Sequence, residues 1–78
     1  MMPRRVPRAP FLLCVSNRGY RASLVLRRVY MGIPDATAAR EGLVRVIDET
    51  GEDFLFPEKL FVVVDLPREA VRAFRAAS

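Results

Sequence analysis

The stretch from Leu43 to Pro57 constrains the fold more than any other part of this chain. Leu43-Val44-Arg45-Val46-Ile47-Asp48 is β-branched and alternates around one charge, as expected of a strand with one face inward. Glu49-Thr50-Gly51-Glu52 is a turn, and Asp53-Phe54-Leu55-Phe56-Pro57 runs back. Two such runs joined by so short a turn can only pair antiparallel, so the fold is built around a β-hairpin.

The flanking pieces are of the same kind. Phe11 to Val15 is an apolar run too short for a helix, and Ser16-Asn17-Arg18-Gly19 ends it. Arg28 to Ile33 reads as a second strand, closed by Pro34-Asp35 because proline cannot donate to a ladder. Residues 36–41 make either one helical turn capped by Gly42 or a loop. Pro57 to Leu60 suits a short 3₁₀ connection. Phe61-Val62-Val63-Val64 is a fifth strand, apolar on both faces, as for a strand held between layers. Pro67 suits the first position of a short helix, on which Leu66, Ala70, Val71, Phe74 and Ala77 form one apolar stripe, with Arg68, Glu69, Arg72 and Arg75 opposite. The expected core gathers Leu12, Cys14, Leu24, Val44, Val46, Phe54, Phe56, Phe61 and Val63. Ile47 and Leu55 then face the other way, either under the helix or as an exposed apolar patch that marks a partner contact.

The order strand, glycine turn, strand ending in Phe56-Pro57, 3₁₀ turn and last strand, from Leu43 to Val64, resembles the distal half of an SH3-like barrel. Leu24 to Ile33 takes the place of the end of its first long loop and its second strand. The resemblance implies an all-β fold, a small five-stranded SH3-like barrel with a short C-terminal α-helix. Its divisions are a basic Pro-rich arm at 1–10, the barrel at 11–66 and a helix packed on it at 67–78. Leu24, Tyr30, Pro34, Asp35 and the run Val44 to Pro57 also resemble the pattern of a set of short uncharacterised bacterial proteins, which brings no activity with it. Peptide-binding SH3 domains read proline-rich ligands through aromatic-lined grooves. This chain has no tryptophan, and Phe11 to Asn17 does not match their aromatic strand, so that specificity is not implied.

With 78 residues there is room for one domain. No apolar run approaches the roughly 20 residues that cross a bilayer, and the five-residue run after the basic start is shorter than a signal peptide requires; the expected location is cytoplasmic, with no membrane partner. The single cysteine, Cys14, sits in an apolar run and is read as a small buried hydrophobe. There is no histidine, which removes the usual general base and the commonest metal ligand near neutral pH. No Gly-rich phosphate loop is present. The chain is therefore not expected to be an enzyme, to hold a metal or cofactor, or to act on a small-molecule substrate.

Charge is divided unevenly. Residues 1–34 carry seven arginines and no acid, whereas residues 35–78 carry nine acids against six basic residues, for an overall net charge of +4. Arg18, Arg21, Arg27 and Arg28 flank Tyr20 and Tyr30, a combination able to join phosphate contacts to a stacking face. The plain alternative is a solvated arginine surface with Tyr30 half buried. Asp48, Glu49, Glu52 and Asp53 gather at the hairpin tip, where acids are ordinarily solvated; they can also dock against Arg18 or Arg21. The leading expectation is a non-catalytic interaction module holding a protein partner through Ile47, Leu55 and nearby edges. The second is a small nucleic-acid-binding barrel using Arg18, Tyr20, Arg21, Arg27 and Arg28. A third is an accessory subunit stable only when bound.

Overall fold

A computed structural model describes residues 10–77. The expected arm therefore lies outside the described residues apart from Pro10, as do Arg4, Arg5 and Arg8. Five strands alternate with three short helical pieces: β1 (Phe11–Cys14), β2 (Val29–Ile33), α1 (Ala36–Arg40), β3 (Leu43–Ile47), β4 (Asp53–Pro57), a 3₁₀ turn (Glu58–Leu60), β5 (Phe61–Val64) and α2 (Arg68–Ala77). The strands form one antiparallel sheet in the order β4-β3-β2-β1-β5. β4 and β5 are its two edges and do not pair with each other, so hydrogen bonding does not close the sheet.

Strand β2 is where the sheet folds over. Val29 to Met31 pair with β1, and Gly32 and Ile33 pair with β3. Gly32 lies at the handover, its N–H donating to the Pro10 carbonyl at 2.7 Å. A Cβ here would stand 2.9 Å from Pro10 Cγ and 3.1 Å from Leu12 Cδ1, so only glycine lets β1 approach this closely.

The folded sheet encloses a core of Leu12, Cys14, Leu24, Tyr30, Val46, Phe56, Leu60 and Phe61, with Val44 packed against it. Tyr30, Phe56 and Phe61 meet edge to face, with centroids 6.3 to 6.5 Å apart. Two expected core members are missing. Phe54 shares its face with Phe56 but is 47% exposed, because it lies on an edge strand towards the hairpin tip, beyond the enclosed volume. Val63 is 67% exposed and Val62 51%. The expectation that β5 is buried on both faces is thus overturned: β5 is an edge, with β1 on one side only.

α1 is a full short helix. The Asp35 carboxylate caps it by accepting the Ala38 N–H at 2.9 Å. Helix α2 begins where the Pro67 carbonyl accepts the N–H groups of Ala70 and Val71. Leu66, Ala70, Val71 and Phe74 are half-buried, while Arg68, Glu69, Arg72 and Arg75 are exposed. The Phe74 ring meets Phe11 with centroids 5.1 Å apart, which seats the helix on the outer face of the sheet and buries Phe11 there. No helix among the described residues is long and apolar enough to cross a membrane.

Candidate functional site

The segment from Val15 to Arg28, between β1 and β2, carries most of the residues singled out in the sequence. It is held by backbone bonds at several points. Val15 and Ser16 donate to the Leu60 carbonyl, Arg27 donates to the Cys14 carbonyl at 2.8 Å, and Glu49 N–H reaches the Ser23 carbonyl at 3.1 Å. Asn17 Nδ2 ties the loop to itself through the Leu24 carbonyl at 2.9 Å. Leu24 is driven into the core at 1% exposure, which forces its neighbours outward. Arg27 has φ of 64°, a left-handed backbone unusual for a side chain of its size. Its N–H bond to β1 holds that conformation.

Val15, Tyr20, Val25 and Leu26 are thereby left exposed, four of the eight large hydrophobic residues that the described surface displays. Arg18, Arg21 and Arg27 stand among them, exposed and forming no side-chain ion pair or hydrogen bond among the described residues. The loop also forms one wall of a groove of about 490 Å³ lined by Ser16, Arg18, Tyr20, Pro57, Lys59 and Leu60. Tyr20 sets its ring edge-on to Phe56, with centroids 5.3 Å apart. The groove thus offers two cations, one aromatic ring and no acid.

Not every expected binding residue belongs to this face. Arg28 is committed to Glu49, its Nη1 lying 2.9 Å from Oε2 and 3.1 Å from Oε1. Tyr30 offers no stacking surface, since it is buried at 5% exposure. Its hydroxyl accepts the Val25 N–H at 2.7 Å and donates to Glu49 Oε2 at 2.6 Å. Burial first, then that bond to Glu49, push the phenol up to about 12. Tyr30 is a structural pin joining loop, sheet and hairpin tip.

The hairpin-tip acids also differ from expectation. Asp48 is buried rather than solvated, its Oδ1 accepting both the N–H and the hydroxyl of Thr50, at 2.8 and 2.6 Å, as an Asx-type turn. Glu49 docks on Arg28, not on Arg18 or Arg21. Asp53 and Asp35 both bind Arg45, at 3.0 and 2.9 Å, which ties α1 to the hairpin. The Ala38 N–H, and after it the Arg45 guanidinium, hold the Asp35 carboxyl below its usual range.

Ile47 and Leu55 lie on the outer face of the sheet, at diagonal positions of the β3–β4 ladder. Ile47 is half-buried and lines a groove with Val29, Met31 and Phe74, whereas Leu55 is 41% exposed opposite the ion-paired Arg45. Sequence reasoning missed Val15, Val25, Leu26 and Lys59 as surface features. The turn residues after Val15 and the irregular pattern from Tyr20 to Arg27 were the available signal. Comparison with protein-family models, with curated protein sequences and with solved structures returns no match.

Proposed function

We propose that this chain is a non-catalytic interaction module of SH3-like architecture. Its β1–β2 loop docks on a protein surface that is apolar at its centre and acidic at its rim. The strand order and the 3₁₀ link between β4 and β5 support the architecture. The observation that carries the function is the interleaving, on one loop, of exposed Val15, Tyr20, Val25 and Leu26 with Arg18, Arg21 and Arg27, whose side chains pair with none of the described residues. Exposed apolar side chains with a charged margin are the usual anatomy of a protein contact. A phosphate backbone would reward the arginines and leave the aliphatic residues wet.

The groove with Arg18, Tyr20 and Lys59 favours the second reading, a single-stranded nucleic acid laid between two cations on one aromatic ring. One experiment separates the two. A photo-cross-linking residue is placed at Leu26 in the producing cell, with Ala73 on α2 as control, and oligonucleotides are titrated in parallel against the amide spectrum. The expected outcome is a discrete protein adduct from Leu26 only, lost when Arg21 and Arg27 become glutamate. Saturable shifts over Arg18 to Arg28 that persist at physiological salt, with no protein adduct, would install the nucleic-acid reading instead.

A further inference from the structure

Two chain segments build the groove beside the β1–β2 loop, and they are tied together where they meet. The N–H groups of Val15 and Ser16 share the Leu60 carbonyl, at 2.8 and 3.3 Å, which fixes the start of the loop against the end of the 3₁₀ turn. Ser16, Arg18 and Tyr20 line the groove from the loop, and Pro57, Lys59 and Leu60 line it from the turn. Arg18, Tyr20 and Lys59 are exposed. The side chains of Arg18 and Lys59 form no ion pair or hydrogen bond among the described residues. Glu58, the acid next to Lys59, lines a different groove with Pro34 and Asp35. The Tyr20 ring stands at 79° to that of Phe56, so whichever ring presents its edge, this contact leaves at least one face of Tyr20 open. Two unneutralised cations, an open ring face and the apolar Pro57 and Leu60 thus share a space of about 490 Å³, within the range of ligand sites.

We propose that this groove receives an extended acidic segment of a protein partner: two neighbouring carboxylates pair with Arg18 and Lys59, and an adjacent apolar side chain covers the open face of Tyr20. The inference rests on the docking reading above and extends the contact from the loop to the 3₁₀ turn. Charge decides the sign of the occupant. A neutral or cationic segment would leave both cations without a counter-charge, whereas carboxylates supply it. Chain geometry decides its form. Successive side chains of an extended segment point to opposite sides, so adjacent acids reach the loop cation on one side and the turn cation on the other. The single ring decides its class. A nucleic-acid strand is held by stacking successive bases on a series of aromatic side chains. Among the described residues Tyr20 is the one ring in the lining, and Tyr30 is buried. The exposed aliphatic residues of the same loop, Val15, Val25 and Leu26, suit a protein and gain nothing from a phosphate backbone.

The test follows the amide spectrum of the full chain during titration, to millimolar concentration, with acetylated and amidated Asp-Glu-Phe, its neutral counterpart Asn-Gln-Phe, and hexathymidylate. The acidic peptide is expected to give saturable shifts at Ser16, Arg18, Tyr20 and Leu60 that weaken as salt screens the two ion pairs. The neutral peptide should bind about tenfold more weakly. Lys59 is exposed and carries no ion pair among the described residues, so Lys59→Glu should remove the shifts and keep the folded spectrum. Combining it with Arg18→Glu should transfer the preference to Lys-Arg-Phe. No shifts from Asp-Glu-Phe, equal binding of the acidic and neutral peptides, or shifts centred away from the groove would overturn the proposal. Saturation by hexathymidylate with no response to the acidic peptide overturns it in favour of nucleic acid. The cross-linker at Leu26 reads the partner separately. An adduct that Lys59→Glu leaves undiminished overturns the groove inference alone, whereas shifts from Asp-Glu-Phe with no adduct overturn the docking reading alone.

Discussion

Replacing Tyr30 by phenylalanine removes a single oxygen, and the structure sets the size of the effect. The hydroxyl donates to the Glu49 carboxylate at 2.6 Å and accepts the Val25 N–H at 2.7 Å, on a ring that is 5% exposed. A hydrogen bond to a charged group contributes about 1.5 to 3 kcal/mol. Val25 itself is 42% exposed, so water can reach its freed N–H, and that second loss stays small. The expected cost is about 2 kcal/mol near neutral pH, worth roughly 8 to 16 °C of melting temperature in a domain of this size. The same site makes an alkaline prediction. With the phenol pushed from an ordinary 10 to about 12, folding favours the neutral ring by about 3 kcal/mol. A raised acid pKa means that the folded state holds the proton more tightly. This contribution is therefore complete below pH 10 and is lost as pH rises from 10 through about 12. Urea unfolding across that range should show wild-type stability falling more steeply than that of the Tyr30→Phe variant, in which the Cys14 thiol, pushed up by its burial, still contributes a decline. A neutral-pH cost below about 0.5 kcal/mol, or the same alkaline decline in both proteins, refutes the account of Tyr30 as a pin.

Two other outcomes follow from burial and charge. Phe56→Ala should cost about 3 to 5 kcal/mol. Phe54→Ala, on the same face of the same strand, should cost less than about 1 kcal/mol; urea midpoints read both. Because the folded state depresses the Asp35 carboxyl, its stabilisation is present above the ordinary carboxylate range and is lost as pH falls through the folded value. Asp35→Asn should therefore flatten the acid limb of the stability profile, followed by tyrosine fluorescence.

What the residues disclosed in advance was periodicity, and what they concealed was enclosure. The alternation in Leu43 to Ile47 and Asp53 to Pro57 located β3 and β4 with the correct turn between them, and the spacing of Leu66, Ala70, Val71 and Phe74 located α2. Alternation assigns Phe54 and Phe56 to one face, yet it carries no information about how far the opposite layer extends. The two rings were therefore indistinguishable until the sheet's fold at Gly32 placed the core under Phe56 alone. Edge status is equally invisible in Phe61 to Val64, since an all-apolar strand reads the same at the centre of a sheet as at its margin.

The candidate surface was legible in composition and not in detail. The absence of acids before Asp35 flagged the β1–β2 loop, but sequence alone does not indicate which arginine will be neutralised from a distance. Glu49 lies far along the chain from Arg28 and selects it because the Tyr30 hydroxyl already holds the carboxylate there. Asp48 could have been suspected from Thr50 two residues on, a spacing that lets a short carboxylate side chain turn back on the backbone.

The strand order has a consequence for how the polypeptide is made. β2, β3 and β4 are neighbours in sequence and in space, so this meander can assemble before the two ends of the chain meet. The β1–β5 ladder joins Phe11 to Val64, positions roughly fifty residues apart, and such long-range closure is slow. Throughout that interval the flank of β1 that awaits β5, and the aromatic face that Phe61 will cover, are open to any other extended chain. A growing polypeptide of this kind is most vulnerable to mispairing after its meander has formed and before its last strand arrives.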